Sequence, residues 1–204
     1  MTEPVAKWLS LTHMPLATIY TRLGYREGYS DKAAIRAEYE SLLQQWVAST
    51  RIRVFYLFQP FAVKNGICRL GAHEFTSNLI AERFARASRT LLMAASADPA
   101  DFEKIQKFAE AGDLKTSVML DAVLSEKVDY ALDFLETEIT VQIRREGRQL
   151  GQRLSCGYGD FQLENQRYFV SALQLNRQGI TLDERFILHP EKTVTALAPV
   201  YDLN

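Results

Sequence analysis

The sequence contains few residues of the kinds that build metal sites or disulfide frameworks. Cys68 and Cys156 are its only cysteines, and its three histidines lie far apart along the chain. A disulfide framework needs several cysteine pairs, and a structural zinc site needs four suitably spaced ligands. The sequence therefore predicts no metal site, and it predicts two reduced thiols in a cytoplasmic protein.

The chain also lacks a long apolar run and an excess of charge of one sign. No segment approaches the roughly 20 apolar residues that a membrane-spanning helix needs, and the first residues, MTEPVAKWLS, lack the apolar core of a signal peptide. The net charge is -1, and the densest basic group, at residues 144–148, is too small for a nucleic-acid footprint. We therefore expect neither a membrane nor a nucleic acid among the partners.

Motifs of several common enzyme classes are missing as well. The chain has no G-x-G-x-x-G after a strand, no G-x-x-x-x-G-K-[ST], no G-x-S-x-G and no H-E-x-x-H. These absences argue against a Rossmann methyltransferase, a P-loop NTPase, a serine hydrolase and a zincin. Cys156 has no histidine near it in sequence to activate it, so it is not expected to be a nucleophile.

The residues that are present predict one α+β domain over 1–204. Hydrophobic residues make up 47% of the chain and no repeat or linker interrupts it. Predicted helices and strands are interspersed without regular βαβ alternation, which favours a twisted, mostly antiparallel or mixed sheet with flanking helices. The expected helices are 31–48 (capped by Ser30 or Asp31), 75–86, 98–112, 114–146 as one helix or two, and 161–175. The expected strands are 51–63, 67–70, 89–97, 180–188 and 193–200, and Pro60 argues against a regular central continuation of the first one.

The segment RLSCGYGD, residues 153–160, concentrates residue types that suit ligand binding. Arg153 has the side chain best shaped to hold a carboxylate through paired hydrogen bonds. Gly157 and Gly159 allow the backbone to approach a ligand closely, and Tyr158 between them offers a ring face and a phenol. Such a set fits an amino-acid-like ligand with an aromatic or cationic portion. The alternative is a surface turn in which Arg153 pairs with Asp160 or Glu164.

Longer segments around this loop resemble a known family. RLSCGYGDFQLENQ resembles the pattern Arg-x-x-x-Gly-Tyr-Gly-Asp followed by Leu-Glu-x-Gln, and ITLDERFILHPEKTVTALAPV resembles the segment that follows it in the activation (reactivation) domain of cobalamin-dependent methionine synthase. Residues 22–26, 89–105 and 118–139 are similar to free-standing members of that family. The resemblance covers nearly the whole chain.

The resemblance implies a function and a set of site residues. Domains of this family bind S-adenosylmethionine in a groove unrelated to the Rossmann type, and they present its methyl group to a cobalamin held by another domain. Arg153 would hold the methionyl carboxylate, backbone groups around Ser155 and Gly157 would meet the adenosine, and Tyr158 would stand beside the sulfonium as the catalytic residue. Asp129 is the nearest match by position to the family acid that meets the amino group.

The same resemblance implies partners that the chain does not itself contain. The Asp-x-His-x-x-Gly element that ligates cobalt in the cobalamin domain is absent. Cobalamin would therefore be presented by a separate corrinoid protein or by a methionine synthase lacking this domain, with an electron from a flavodoxin-like donor. In this interpretation the chain is an accessory reactivation subunit that is not active alone. Two departures, Cys156 in place of the usual proline and the end of the chain at Asn204, favour the alternative of a non-catalytic docking or scaffold subunit.

Overall fold

The computed structural model describes residues 3–25 and 32–203, with side chains left undescribed over 32–38. The expected cap at Ser30 or Asp31 lies outside the described residues. Helices within the described ranges are α1 Leu16–Arg22, α2 Lys32–Ser49, α3 Asn78–Arg83, α4 Pro99–Glu110, α5 Leu114–Arg144 and α6 Gln166–Ala172. The strands are β1 Val5–Leu9, β2 Ile52–Lys64, β3 Ile67–Leu70, β4 His73–Thr76, β5 Arg89–Ala97, β6 Arg148–Leu150, β7 Thr181–Leu182, β8 Leu188–His189 and β9 Thr193–Asp202.

A seven-stranded sheet organises the described residues. Its strand order is β4-β3-β2-β5-β9-β6, with β1 paired to the first half of β2, and every one of these pairs is antiparallel. The central strand β5 pairs with β2 on one side and with β9 on the other, so that Leu92 lies opposite both Leu57 and Leu197. The predicted α+β class with an antiparallel sheet is confirmed.

The sheet is covered on both faces, which explains the apolar run of β5. Leu91 and Met93 point into a core formed with α5, whereas Leu92 and Ala94 point into a second core beneath α3 and α6. A strand buried on both faces has no polar alternation, because successive side chains enter different cores. A third, smaller core joins α1 and α2 to the first part of α5.

The segment predicted as one long helix or two abutting helices is a single helix, α5, of 31 residues. Asp113 accepts a hydrogen bond from the backbone N–H of Thr116 and caps its N-terminus. The apolar residues from Val128 to Ile143 that recur at helical spacing are buried, whereas Leu114 and Val118 near the start of the helix are 64% and 58% exposed.

Pro60 lies inside β2, but the strand does not continue past it as a regular partner of β5, in line with the prediction. It lies where β2 finishes its pairing with β5, opposite Arg89, and begins its pairing with β3 at Phe61. Its carbonyl accepts a hydrogen bond from Gly71, and the neighbouring Phe61 N–H donates to Ser88. A residue without an N–H is tolerated at this change of partner because the adjacent residues keep the ladder connected.

Three further predictions are corrected in part. The region 75–86 contains the end of β4 and the short helix α3 rather than one helix. The predicted helix 161–175 is a 3-10 turn at Leu163–Asn165, then α6, with a second 3-10 turn beginning at Leu175. The predicted strand 180–188 is the small hairpin of β7 and β8. No helix in the described part of the chain is both long enough and apolar enough to cross a membrane.

Candidate functional site

The chain from Arg148 to Leu154 runs along the outer edge of β9. After β6, Gly151 donates a hydrogen bond to Pro199 (2.8 Å), and Leu154 exchanges two bonds of 2.8 Å with Leu197. A Cβ at Gly151 would lie 2.7 Å from side-chain atoms of Pro199 and Tyr201, so this close approach requires glycine. Leu154 is buried in the core under α6. Its neighbours in an extended chain point the other way, and Arg153 consequently faces α5.

Arg153 is held by two carboxylates from adjacent turns of α5. Its Nη1 donates to Asp133 Oδ1 at 2.5 Å and also to Glu136 Oε2. Burial alone would lower the pKa of Arg153, but the hydrogen bonds and charges of the two acids outweigh burial and raise it. For Glu136, burial raises the carboxyl pKa and the Arg153 cation opposes that effect. Both pKa shifts follow from one arrangement, in which the Arg153 cation is shared between the carboxylates of Asp133 and Glu136.

The sequence alternative in which Arg153 pairs with Asp160 or Glu164 is wrong. Asp160 instead accepts hydrogen bonds from Ser77 Oγ (2.6 Å) and from the backbone N–H groups of Asn78 (2.6 Å) and Leu79 (3.2 Å). These bonds lower its pKa, with the Ser77 bond as the largest cause. Asp160 thereby ties the glycine-containing loop to the start of α3, a role that the sequence reading missed.

Asp129 lies one turn before Asp133 on the same helix. Its side chain reaches solvent. Partial removal of water from around the carboxyl nevertheless raises the pKa of Asp129, and the cation of Arg153 opposes this rise. Asp129 has no ion-pair or hydrogen-bond partner among the residues that the structure describes, and Ser125 one turn earlier is buried. The charge of Arg153 therefore acts on the Asp129 carboxyl. The role of Asp129 as the acid that meets an amino group stays a prediction.

The loop that follows forms a tight turn with an exposed aromatic tip. Gly157 and Gly159 have φ values of +87° and +59°, which glycine adopts without strain. The N–H of Gly157 donates to the carbonyl of Phe161 (2.7 Å), so this amide is used within the loop and is not open to a ligand. Phe161 is fully buried, whereas Tyr158 is 61% exposed. The loop is thus anchored at its base and presents the tyrosine outward.

Two cavities flank the segment 150–156. One, of about 580 Å³, is lined by Glu136, Thr140 and residues 150–153. The other, of about 250 Å³, is lined by Ser155, Cys156, Gln166, Ile187, Leu188, Glu191, Thr193, Val194 and Thr195.

Main-chain groups of β9 reach the second cavity. Alternate residues of an antiparallel strand turn their N–H and C=O groups to the same side. Leu197 and Pro199 form backbone hydrogen bonds with the segment 151–154. The main-chain N–H and C=O of Thr195, two residues before Leu197, point to the same side of β9. The segment does not pair with Thr195, which lines the second cavity.

The other candidate reactive groups have structural roles. Burial raises the pKa of the Cys156 thiol to about 12, which disfavours the nucleophilic thiolate. Cys68 is buried, and both cysteines are free. His189 lies 3.3 Å from Asp183 through its Nε2. Across residues 3–25 and 32–203, no cluster of three or more His, Cys, Asp or Glu side chains is placed to hold a metal ion.

Comparison with known proteins gives a likeness of fold. No protein-family model matches the chain, and no curated protein matches it. Among solved structures, the chain is similar to the crystal structure of the MetH reactivation domain bound to AdoHcy, with a TM-score of 0.76 and 10% sequence identity. The match covers 96% of this chain and 78% of that chain. The fold that the sequence resemblance implied is confirmed.

Proposed function

We propose that this chain binds S-adenosylmethionine and supports the reductive methylation of cob(II)alamin carried by a separate corrinoid or methionine synthase protein. The observation that carries the proposal is the placement of Arg153. It lines the first cavity, two residues before Ser155, which lines the second. Its charge acts on Asp129, and an exposed tyrosine follows five residues later, on the fold of a domain solved with AdoHcy. Apart from Asp129 on α5, the groups that the ligand needs therefore lie along one short segment.

The segment 153–156 suits a ligand with an amino-acid end and a nucleoside end. Arg153 holds the carboxylate, and Asp129 receives the amino group. The extended chain from Arg153 to Cys156 spans roughly 10 Å, and the adenosine lies at its far end in the cavity beside Ser155. The amide of Gly157 is used within the loop, so Gly157 meets the adenosine through its carbonyl and its bare Cα. These contacts orient the ligand without a dinucleotide-binding fold.

Tyr158 acts at the outer end of the same groove. Its exposed ring stands beside the sulfonium, where a partner protein presents the corrin, and the π-face favours the positive charge of the methyl donor. The methyl group would leave the sulfonium as S-adenosylhomocysteine is formed, and a flavodoxin-like donor would supply the one electron that the cob(II)alamin acceptor on the partner needs. Because the acceptor comes from the partner, the chain alone does not turn over. We place the protein in the cytoplasm, where Cys68 and Cys156 stay reduced.

One observation favours a second candidate, a non-catalytic docking or scaffold subunit. Arg153 already has two carboxylate partners in its own chain, so its positive charge is compensated without any ligand. In that case the ion pairs are structural, and S-adenosylmethionine does not bind.

Calorimetric titration with S-adenosylmethionine separates the two functions. Loss of a charge-assisted contact costs ~1.5–3 kcal/mol, so Arg153→Ala should weaken binding by roughly tenfold or more. Arg148→Ala is the matched control, because Arg148 lies five residues earlier and bonds Glu146 and Asp202 instead. Unaltered affinity in the Arg153 variant, or no binding by the wild type, contradicts the proposed function.

A further inference from the structure

Among the described residues, the guanidinium of Arg153 forms hydrogen bonds through only one of its three nitrogens. Both carboxylates of α5 accept from Nη1, and Nε and Nη2 have no partner among the described residues. A guanidinium offers five N–H donors in a planar fork, and two of them are used here. The N–H groups of Nε and Nη2 lie side by side and can donate two parallel hydrogen bonds to one carboxylate.

The two acids hold Arg153 unequally. The Asp133 side chain is 58% exposed, whereas that of Glu136 is 18% exposed and also lines the cavity beside Arg153. Solvent screens an exposed ion pair strongly and a half-buried one much less. Glu136 therefore contributes more than Asp133 to fixing the plane of the guanidinium.

The local charge also restricts which anion the arginine can accept. Arg153 with Asp133 and Glu136 carries a formal charge of -1, and Asp129 is close enough to influence the same region. A carboxylate joined to a cationic amino group brings no net charge to this cluster. A phosphate brings about two negative charges and is repelled by both acids.

We propose that Glu136 is a positioning and specificity-determining residue for the proposed S-adenosylmethionine site, an inference that rests on the proposed function. It fixes Arg153 by Nη1 and leaves the Nε–Nη2 edge to the ligand carboxylate. It also sets the charge that admits an amino-acid end and rejects a phosphate. Glu136 acts through Arg153 and through charge, and contact with the ligand is not required.

The test compares three adenosine ligands on the wild type, Glu136→Gln and Glu138→Gln. S-adenosylmethionine has the amino-acid end, 5′-methylthioadenosine lacks it, and adenosine monophosphate replaces it with a phosphate. In Glu136→Gln, affinity for S-adenosylmethionine should fall roughly tenfold, that for methylthioadenosine should stay the same, and that for adenosine monophosphate should rise. Glu138 lies on the same helix as Glu136 but pairs with Lys7 of β1, so its variant should bind all three ligands as the wild type does.

The pattern across ligands distinguishes a specific role from damage to the fold. Equal weakening of all three ligands in Glu136→Gln would show a purely structural role and overturn the inference. Unchanged affinity for S-adenosylmethionine would overturn it while leaving the proposed function intact. Failure of the wild type to bind S-adenosylmethionine would remove both together.

Discussion

Lys127 is a fully buried cation whose partners all come from the end of another helix. Its Nζ donates to the carbonyls of Val47 (2.5 Å) and Thr50 (2.6 Å) and to Thr50 Oγ1 (3.1 Å). The last carbonyls of a helix lack intrahelical partners and carry the negative end of its dipole. Lys127 on α5 thus satisfies the end of α2. Burial lowers its pKa to about 8, and the negative charge of Asp101 opposes that effect.

This pKa predicts how the stability of the protein depends on pH. Between about pH 8 and pH 10.4 the unfolded chain keeps a proton on Lys127 that the folded chain has released. The free energy of unfolding should therefore increase by ~1–3 kcal/mol as pH rises through that window. Below the window Lys127 is protonated in both states and causes no change of stability with pH. Denaturant unfolding at several pH values measures the gain.

Comparison with Lys127→Met isolates this contribution. The raised pKa of the Cys156 thiol acts in the opposite direction at alkaline pH, but it does so equally in both proteins. The difference in stability between wild type and variant should therefore change across the window. A constant difference from pH 7 to pH 10 would show that Lys127 does not lose its proton on folding.

At the level of single residues, the sequence predicted the components of the candidate site better than their partners. Arg153 and Tyr158 could be singled out because their residue types and spacing suit a ligand. Asp133 and Glu136 could not be paired with Arg153, since the contact depends on how α5 crosses the edge of β9. The anchoring of Asp160 to α3 likewise joins residues about 80 positions apart.

Among the secondary-structure elements, the β3–β4 hairpin is fixed to α6 by an aromatic stack. His73 lies parallel to Tyr168 with ring centroids 4.7 Å apart, and its Nε2 is 2.8 Å from Asn165 Oδ1. The turn of this hairpin contains Gly71, with φ of +58°. A Cβ at Gly71 would lie 2.7 Å from the Tyr168 hydroxyl and 2.6 Å from Gln59 Oε1. The hairpin therefore approaches α6 as closely as glycine permits.

Gly71→Ala should destabilise the protein more than Gly66→Ala. Both glycines have positive φ, which costs an alanine ~1–2 kcal/mol. Gly66 faces open space, so Gly66→Ala should have only this backbone strain. Gly71→Ala should also displace the stacked Tyr168 ring, which lowers the free energy of unfolding by a further ~1–3 kcal/mol. Denaturant unfolding of the two variants measures the difference. Equal losses would show that Gln59 and Tyr168 move aside freely.

The elements predicted correctly from the sequence are those with local signals. Helix α4 begins after its Asp98 cap at Pro99 and is followed by Gly112, and β5 has the predicted bounds 89–97. The short strands β1 and β6 were missed because a strand of three to five residues is stabilised by its neighbours rather than by its own pattern. The region 161–175 has helical composition, but Gln174 adopts a left-handed conformation and ends the helix there.

At the scale of the whole molecule, α5 and the sheet connect all three cores. Helix α5 contributes Leu124 to the core on one face of the sheet and Val123 to the core with α1 and α2. The sheet separates the first of these cores from the one under α6, and β5 contributes to both of its faces. No described element belongs to a core that is independent of the others. That residues 1–204 form one domain stays a prediction, and cooperative unfolding tests it.

The two tryptophans should therefore report the same unfolding transition. Trp8 lies on β1 between Arg51 and Arg53, and Trp46 on α2 packs against Phe108 with ring centroids 5.8 Å apart. In Trp8→Phe the fluorescence comes from Trp46, and in Trp46→Phe it comes from Trp8. Within each variant, the fluorescence midpoint in denaturant should coincide with the midpoint measured by far-UV circular dichroism. Separate midpoints would indicate that α1 and α2 unfold independently of the sheet.

For the proposed binding of a ligand carboxylate, the ion pairs of Arg153 also have an entropic consequence. A free arginine side chain loses rotamer freedom worth about 2 kcal/mol when it is fixed. Here Asp133 and Glu136 immobilise the guanidinium before any ligand arrives, so this loss is incurred during folding rather than during association. A carboxylate that reaches the open edge meets a donor already restricted to one orientation. More of the contact enthalpy is then available as affinity.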